Sequence, residues 1–562
     1  MINKNSIIPL RHILIMLGFA ALLMAPAVLL GSGGIDMHYQ SLLTREFSAQ
    51  FWHGDLYPRW LSNMFAGNGS PIFFYYPPLT YFITAFFMWL RPLDVFGYTP
   101  IAASAFLAVA LSGGAFYLWM REETDSREAA LLGSLLYMAA PNHVAQNFYY
   151  ILLFSSVWSY VWIPLLLLFA KRLAFGKPYA VAGFAAALFL LVMTNLPMTL
   201  MCGPIAVAYS MLFFRKDAVK RQAMRLAGGL ILGFGLSAVY LLPMFSYMDF
   251  VTLDFHWNVP GVKYENFIRG IFFFNFDYLY CNLYKAYFAG ALILTAAYCK
   301  YAGRSPVQWF FCLVSAAALC MMLPASKLIW EYISILKILQ FAERLWVVPS
   351  LCLAVLAAYT LPRLRLLAYV LLALYILVTI AVAAGTRMTL EDYRVQNPEG
   401  YANYQLNIEQ YATYLTTPDL YTRYYTMEGL LEIKAHPEQI QLMKGDAALE
   451  IKSWHPRNIL LHFKATNPSK VRIRQFDFPG FRAFFEGKEL EITRDGHTGD
   501  ILLDIPPAEG DIEVKLMPLL PEIAGKMLSI LCLAIISLLF LLEMKKHTQT
   551  REILKNIPKG WH

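Results

Sequence analysis

Charge is scarce in this sequence. Only 15% of its 562 residues are Asp, Glu, Lys or Arg, while 58% are hydrophobic. An ordinary soluble domain carries about 25% charged residues, so the composition places the chain among polytopic membrane proteins. The seven cysteines form no CxxC and no zinc-type spacing, which excludes a disulfide framework and a cysteine-based metal module. There is no internal repeat and no low-complexity segment, so solenoids and biased disordered tracts are set aside. The net charge of +8 does not point to nucleic acid, because much of the basic charge flanks apolar runs, where it sets orientation.

What is there is a series of long apolar runs. Segments 12–31, 99–120, 129–147, 151–170, 178–195, 197–214, 226–247, 287–302, 306–323, 345–361, 365–385 and 522–543 each approach the ~20 residues a crossing helix needs. The first resembles a signal peptide, but no small-residue cleavage site follows it, and it is read as a retained helix. A further run, "IFFYYPPLTYFITAFFMWL" at 72–90, decides the topology of everything after it. If it does not cross, the basic stretches "KRLAFGK", "RKDAVKRQAMR", "KYAGR", "RLR" and the tail from Lys545 all fall inside, as the positive-inside rule demands. Pro77-Pro78 also suits a helix start better than a helix interior. The expected protein is therefore an α-helical polytopic membrane protein with about twelve crossings. Both termini are expected in the cytoplasm, and segment 72–90 on the outer face. "FFYYPP" within it reads as an interfacial aromatic belt in preference to a sugar platform.

Three parts are expected: a transmembrane module over 1–386 with a long outer loop at 32–98, an outer soluble domain over 387–520, and a last helix with a basic tail over 521–562. The outer domain begins with helical patterning ("LNIEQYATYL") and from about 446 alternates with period two ("RNILLHFKA", "KVRIRQFDF", "DILLDI", "DIEVKLM"), which predicts a small antiparallel β-sandwich.

Ionisable side chains crowd the first outer loop: "GIDMHYQSLLTREFSAQFWHGDLYPRW" holds Asp36, His38, His53, Asp55 and Arg59. Most loop carboxylates are simply solvated. Asp36 differs in lying just past an apolar helix, where an ionisable group can face a protein cavity at the membrane surface. A carboxylate there can take a proton from an acceptor hydroxyl. His38 and His53 are candidates to assist at the chemistry and at the substrate, or else hydrogen-bond the loop. Asp55 is expected to organise the loop, with a catalytic role as the alternative. Lys327 and Arg344 are candidates for holding phosphate, because guanidinium forks and ammonium groups match phosphate oxygens, or else for snorkelling to the interface. Arg59 in "YPRW" is a candidate for holding the loop against acidic neighbours. His143, at the expected outer end of the third crossing, is a further substrate-side candidate.

Several stretches carry a family resemblance. The pattern "D…H…HGDLYPRW…GNGSPIFFYYPPLTYF" resembles the multispanning lipid-dependent glycosyltransferases of the GT-C superfamily. More narrowly, it is similar to the bacterial membrane proteins catalogued as "6-pyruvoyl-tetrahydropterin synthase-related" and to YfhO-like proteins. "LYMAAPNHV", "ILQFAERLW" and "FDFPGFRAFFEGKELEI" resemble further segments of that group, and the second places Arg344 on its arginine. The resemblance implies a transferase in the bacterial inner membrane that uses a sugar carried on polyprenyl phosphate or diphosphate. It implies Asp36 as base and Arg59 and Arg344 as phosphate ligands. The acceptor would be a surface polysaccharide, a lipid or a protein.

The sequence departs from the group in places. Ala342-Glu343 stand where many relatives have Pro-Trp, and no Arg or Glu follows the "AAPNHV" segment closely. A divalent metal thereby lacks a second acidic ligand, and no cofactor is assigned. The competing expectation is a non-catalytic lipid or glycan transport or assembly component that uses the same groove for binding. An ion-coupled transporter fits less well, since no pair of similar halves is visible and few ionisable residues lie mid-helix.

Overall fold

The computed structural model describes residues 8–31, 33–34, 36–64, 67–93, 98–250, 290, 305–339, 342–360, 365–396 and 438–555. The described chain is mostly helical, with a separate β-sheet domain. Its helices are α1 (Leu10–Leu30), α2 (Met37–Trp52), α3 (Ile72–Tyr75), α4 (Leu79–Ala85), α5 (Thr99–Thr124), α6 (Arg127–Met138), α7 (Phe154–Ala174), α8 (Ala180–Val192), α9 (Leu196–Met211), α10 (Val219–Leu236) and α11 (Ala238–Ser246). After these come α12 (Pro306–Met321), α13 (Lys327–Tyr332), α14 (Val347–Thr360), α15 (Arg365–Gln396) and α16 (Leu520–Lys555).

Among the described residues five helices are long and apolar enough to cross a membrane, within α1, α5, α7, α15 and α16. A sixth is added if α10 and α11, bent by 66°, form one broken span. Twelve crossings are not supported. Polar caps and prolines cut several expected runs short. Segment 129–147 becomes the twelve-residue α6 and then, past Pro141, a π-helix over Asn142–Tyr150. Segments 178–195 and 197–214 become helices of 13 and 16 residues, separated where Asn195 caps α9 through the Met198 amide at 2.9 Å. Segments 306–323 and 345–361 yield helices of 16 and 14 residues. At about 1.5 Å per residue such helices reach roughly 20–24 Å, short of the ~30 Å apolar slab. Segment 287–302 lies outside the described residues apart from Gly290.

Segment 72–90 is broken into α3, α4 and a 3-10 turn over Met88–Leu93, none of them long enough to cross. Pro77 and Pro78 interrupt it and Pro71 and Pro92 flank it, and each removes a backbone donor.

Proline also leaves orphaned carbonyls, and side chains elsewhere satisfy them. Pro164 in α7 cannot donate to Tyr160, and the Tyr137 hydroxyl donates to that carbonyl instead at 3.1 Å. Pro243 in α11 cannot donate to Val239, and Arg59 of the first loop does so at 2.6 Å. The bend between α10 and α11 is covered by α16: the Ser529 hydroxyl donates to the Leu236 carbonyl at 2.8 Å and accepts from the Val239 amide at 2.9 Å.

The β-domain has nine antiparallel strands in two sheets, ordered β1-β4-β8-β7 and β2-β3-β9-β5-β6. The strands are β1 (Ile440–Lys444), β2 (Ala447–His455), β3 (Asn458–Ala465), β4 (Ser469–Phe476), β5 (Phe481–Phe485), β6 (Lys488–Leu490), β7 (Ile492–Arg494), β8 (Asp500–Ile505) and β9 (Glu509–Leu516). Alternate residues of β3 (Ile459, Leu461, Phe463) and β9 (Ile512, Val514, Leu516) point into one core with Val471, Ile473, Ile501 and Leu503. β4 departs from alternation, with seven of its eight residues buried. The first loop covers it, and Trp60, Leu61, Met64 and Phe74 belong to the same apolar core. That shared core corrects the expectation for "FFYYPP": Phe73 and Phe74 are buried within it and do not form an interfacial belt.

Candidate functional site

Asp36 is fixed by its backbone. α1 ends at Gly31, and the chain then runs against the link between the π-helix and α7. A Cβ at Gly34 would collide with the Ile151–Leu152 backbone, so only glycine permits this approach. The Asp36 amide donates to the Ile151 carbonyl at 2.8 Å, and Leu152 is held at φ +65° beside it. Asp36 therefore stands at a seam between three elements.

Its side chain is unusual for its position. Asp36 is the N-cap of α2, where an aspartate normally turns its carboxylate onto the first amides of the helix. Asp36 makes no such bond, and its carboxylate accepts no hydrogen bond among the described residues. It is half-buried, and burial pushes its pKa up to about 6, against the opposing pull of the Arg344 charge. Arg344 lies in a 3-10 turn over Ala342–Trp346. Two residues far apart in sequence are thus electrostatic neighbours.

Tyrosines form the other side. Tyr81 of α4 is fully buried and senses Tyr76, Tyr39 and the Asp36 charge. Its hydroxyl donates to Gln40 Oε1 at 2.6 Å. The short α4 is anchored at its start by the Leu79 amide, which donates to Met193 at 2.9 Å. The sequence reading missed Tyr39, Gln40 and Tyr81. The one available signal was spacing: Tyr39 and Gln40 lie one helical turn beyond Asp36 on α2.

The remaining candidates lie elsewhere or are otherwise engaged. The guanidinium of Arg59 is buried and pairs with Glu522 at 2.8 Å, with the Tyr57 ring 4.1 Å from its centre. Asp55 pairs with Arg457 of the β2–β3 turn at 2.9 Å and accepts the Tyr57 amide at 3.2 Å. His53 is exposed at the end of α2, and its ring is bonded to the Ala49 carbonyl at 2.7 Å. Lys327 opens α13 and pairs with Glu331 at 3.6 Å. His143 is completely buried in the π-helix, stacked on Tyr160 with ring centres 3.9 Å apart. The backbone of His38 lies in the first turn of α2, and its side chain is outside the described residues. Of the candidates, the structure brings together Asp36 and Arg344.

Among the described residues no group of three or more His, Cys, Asp or Glu is placed to hold a metal ion. Neither a protein-family model nor a curated protein matches the chain.

Proposed function

We propose that the chain is an integral-membrane glycosyltransferase of the GT-C kind, moving a sugar from a polyprenyl phosphate or diphosphate carrier to a surface polysaccharide, lipid or protein. It would act at the outer face of a bacterial inner membrane, with both termini in the cytoplasm. The observation that carries this reading is the Asp36 carboxylate, uncapped, half-buried and within the field of Arg344. A pKa near 6 suits a general base working near neutral pH, because the group is mostly ionised yet still takes a proton readily. In the reaction an acceptor hydroxyl attacks the anomeric carbon and gives its proton to Asp36. The bond from that carbon to the phosphate oxygen breaks, and the departing phosphate carries its charge toward Arg344. The partly exposed Tyr39 and Tyr76 supply side chains of the kind that bind sugars.

The family resemblance in the first loop and around Arg344 supports the choice of chemistry. The test is reconstitution of the full chain in lipid with a polyprenyl-phosphate sugar and candidate acceptors. The expected result is a sugar-sized mass increase on an acceptor that Asp36→Asn fails to produce. An acceptor unmodified by wild type, with carrier lipid retained equally by both proteins, would support the binding component instead.

A further inference from the structure

At the opposite end of the bundle from Asp36, α1 begins, α5 ends and α6 begins. The buried His12 ring of α1 meets the Tyr117 hydroxyl of α5 at 3.1 Å. Three arginines from three helices place their charges near this pair. The charges of Arg11 and Arg127 both bear on His12, and those of Arg121, Arg127 and Arg11 all bear on Tyr117.

The nearby carboxylates are already engaged. Glu122 pairs with Arg172 at 2.8 Å, Glu123 with Lys171 at 2.7 Å, Asp125 with Arg121 at 2.6 Å and Glu128 with Arg365 at 3.0 Å. Arg11 and Arg127 are exposed and have no hydrogen bond or ion pair among the described residues. Both sit in the first turn of a helix, where the backbone dipole disfavours a cation. Two like charges bearing on one buried pair, neither with a carboxylate partner among the described residues, call for an anion.

We infer that Arg11 and Arg127 bind the phosphate of an anionic phospholipid in the leaflet at this end of the bundle. The position favours lipid over free phosphate: α1 continues directly from Arg11 into an apolar span with Leu14 and Leu17 exposed alongside. Headgroup phosphate and acyl chain would thus meet matching surfaces. This site is separate from Asp36 and does not depend on the transferase reading.

The test uses the full chain in detergent micelles, supplemented with phosphatidylglycerol, phosphatidylcholine or inorganic phosphate. The readouts are native mass spectrometry and thermal unfolding. Phosphatidylglycerol should remain bound and raise the unfolding temperature, while phosphatidylcholine should do neither. Arg11→Ala with Arg127→Ala should lower retention at least tenfold. Arg215→Ala, which removes a basic residue already paired with Asp217, should leave retention unchanged. Should the alanine pair not fold, Arg11→Gln with Arg127→Gln is the substitute, and Arg11→Lys with Arg127→Lys should recover part of the retention. Equal retention by wild type and the charge-removed pair would overturn the proposal. So would an equal effect from inorganic phosphate, which would identify a free-anion site.

Discussion

The Arg59 guanidinium donates to the Glu522 carboxylate at 2.8 Å and to the Val239 carbonyl at 2.6 Å. One side chain thereby joins the first loop, the broken α10–α11 pair and the start of α16. Removing one partner of a buried ion pair costs about 3–5 kcal/mol, because the other charge is left without compensation. Arg59→Ala should therefore lower the thermal unfolding temperature in detergent sharply, and Glu522→Gln should do the same. The apparent KM for a lipid donor should move little in whatever protein remains folded. A stable Arg59→Ala protein with a raised donor KM would instead make Arg59 a phosphate ligand.

A second prediction concerns the join between the loop and the β-domain. Asn68 donates to the buried carboxylate of Asp500 and accepts from Arg474 at 3.0 Å, while Arg472 pairs with Asp495 at 2.8 Å. Burial raises the Asp500 pKa to about 7, with Arg472 and Arg474 opposing and Asp495 reinforcing the shift. The folded state therefore holds this proton more tightly than the unfolded chain, so the Asp500 contribution falls as pH rises from about 4 to about 7. Asp500→Asn keeps the acceptor oxygen and removes the titration. The difference in unfolding temperature between variant and wild type should widen in the variant's favour across that window. A constant difference would show that Asp500 does not titrate there.

Arg344 carries a third. Its positive charge pulls the Asp36 pKa down, so Arg344→Ala should move the acidic limb of the pH–rate profile above its wild-type position near pH 6. The same change should raise the donor KM about tenfold or more, the cost of losing a hydrogen bond to a charged group. Arg344→Lys should show smaller effects of both kinds, since an ammonium keeps the charge and loses the fork. An unshifted profile together with an unchanged KM would leave Arg344 a structural cation.

Much of this was legible along the chain and little of it across the chain. Period-two alternation announced β3, β8 and β9, and the prolines of segment 72–90 announced that it would not cross. Hydropathy overstated the crossings because it registers apolar length without registering the caps and breaks at Pro141 and Asn195 that shorten helices. The seven buried residues of β4 could not be read locally, since part of their cover comes from Trp60 and its neighbours, some four hundred residues away. Asp36 stood out by its place after α1. Its unused cap and its proximity to Arg344 and Tyr81 are tertiary facts. Arg59 could be read as a cation holding the loop against an acidic neighbour, but nothing near it in sequence named Glu522 as that partner.

Topology is checked in whole cells with single cysteines in a cysteine-free background. Lys220→Cys should resist an impermeant thiol reagent and Lys488→Cys, on exposed β6, should react. Lys220 lies in the first turn of α10, at the start of the possible α10–α11 span, and Lys488 lies in the β-domain. Labelling at 220 with protection at 488 would invert the orientation and move the proposed chemistry to the cytoplasmic face.

The most direct test of the account is the transfer rate of Asp36→Asn in the reconstituted system, beside Asp55→Asn and at matched expression. Asparagine keeps the size of the side chain and removes its basicity, and loss of a general base typically costs 10²–10⁴-fold. Asp55, tied to Arg457 at 2.9 Å, should affect stability more than rate. The account predicts that Asp36→Asn is folded and slowed by at least about a hundredfold, with Asp55→Asn retaining most of its rate per folded molecule. Near-full transfer by Asp36→Asn would contradict it.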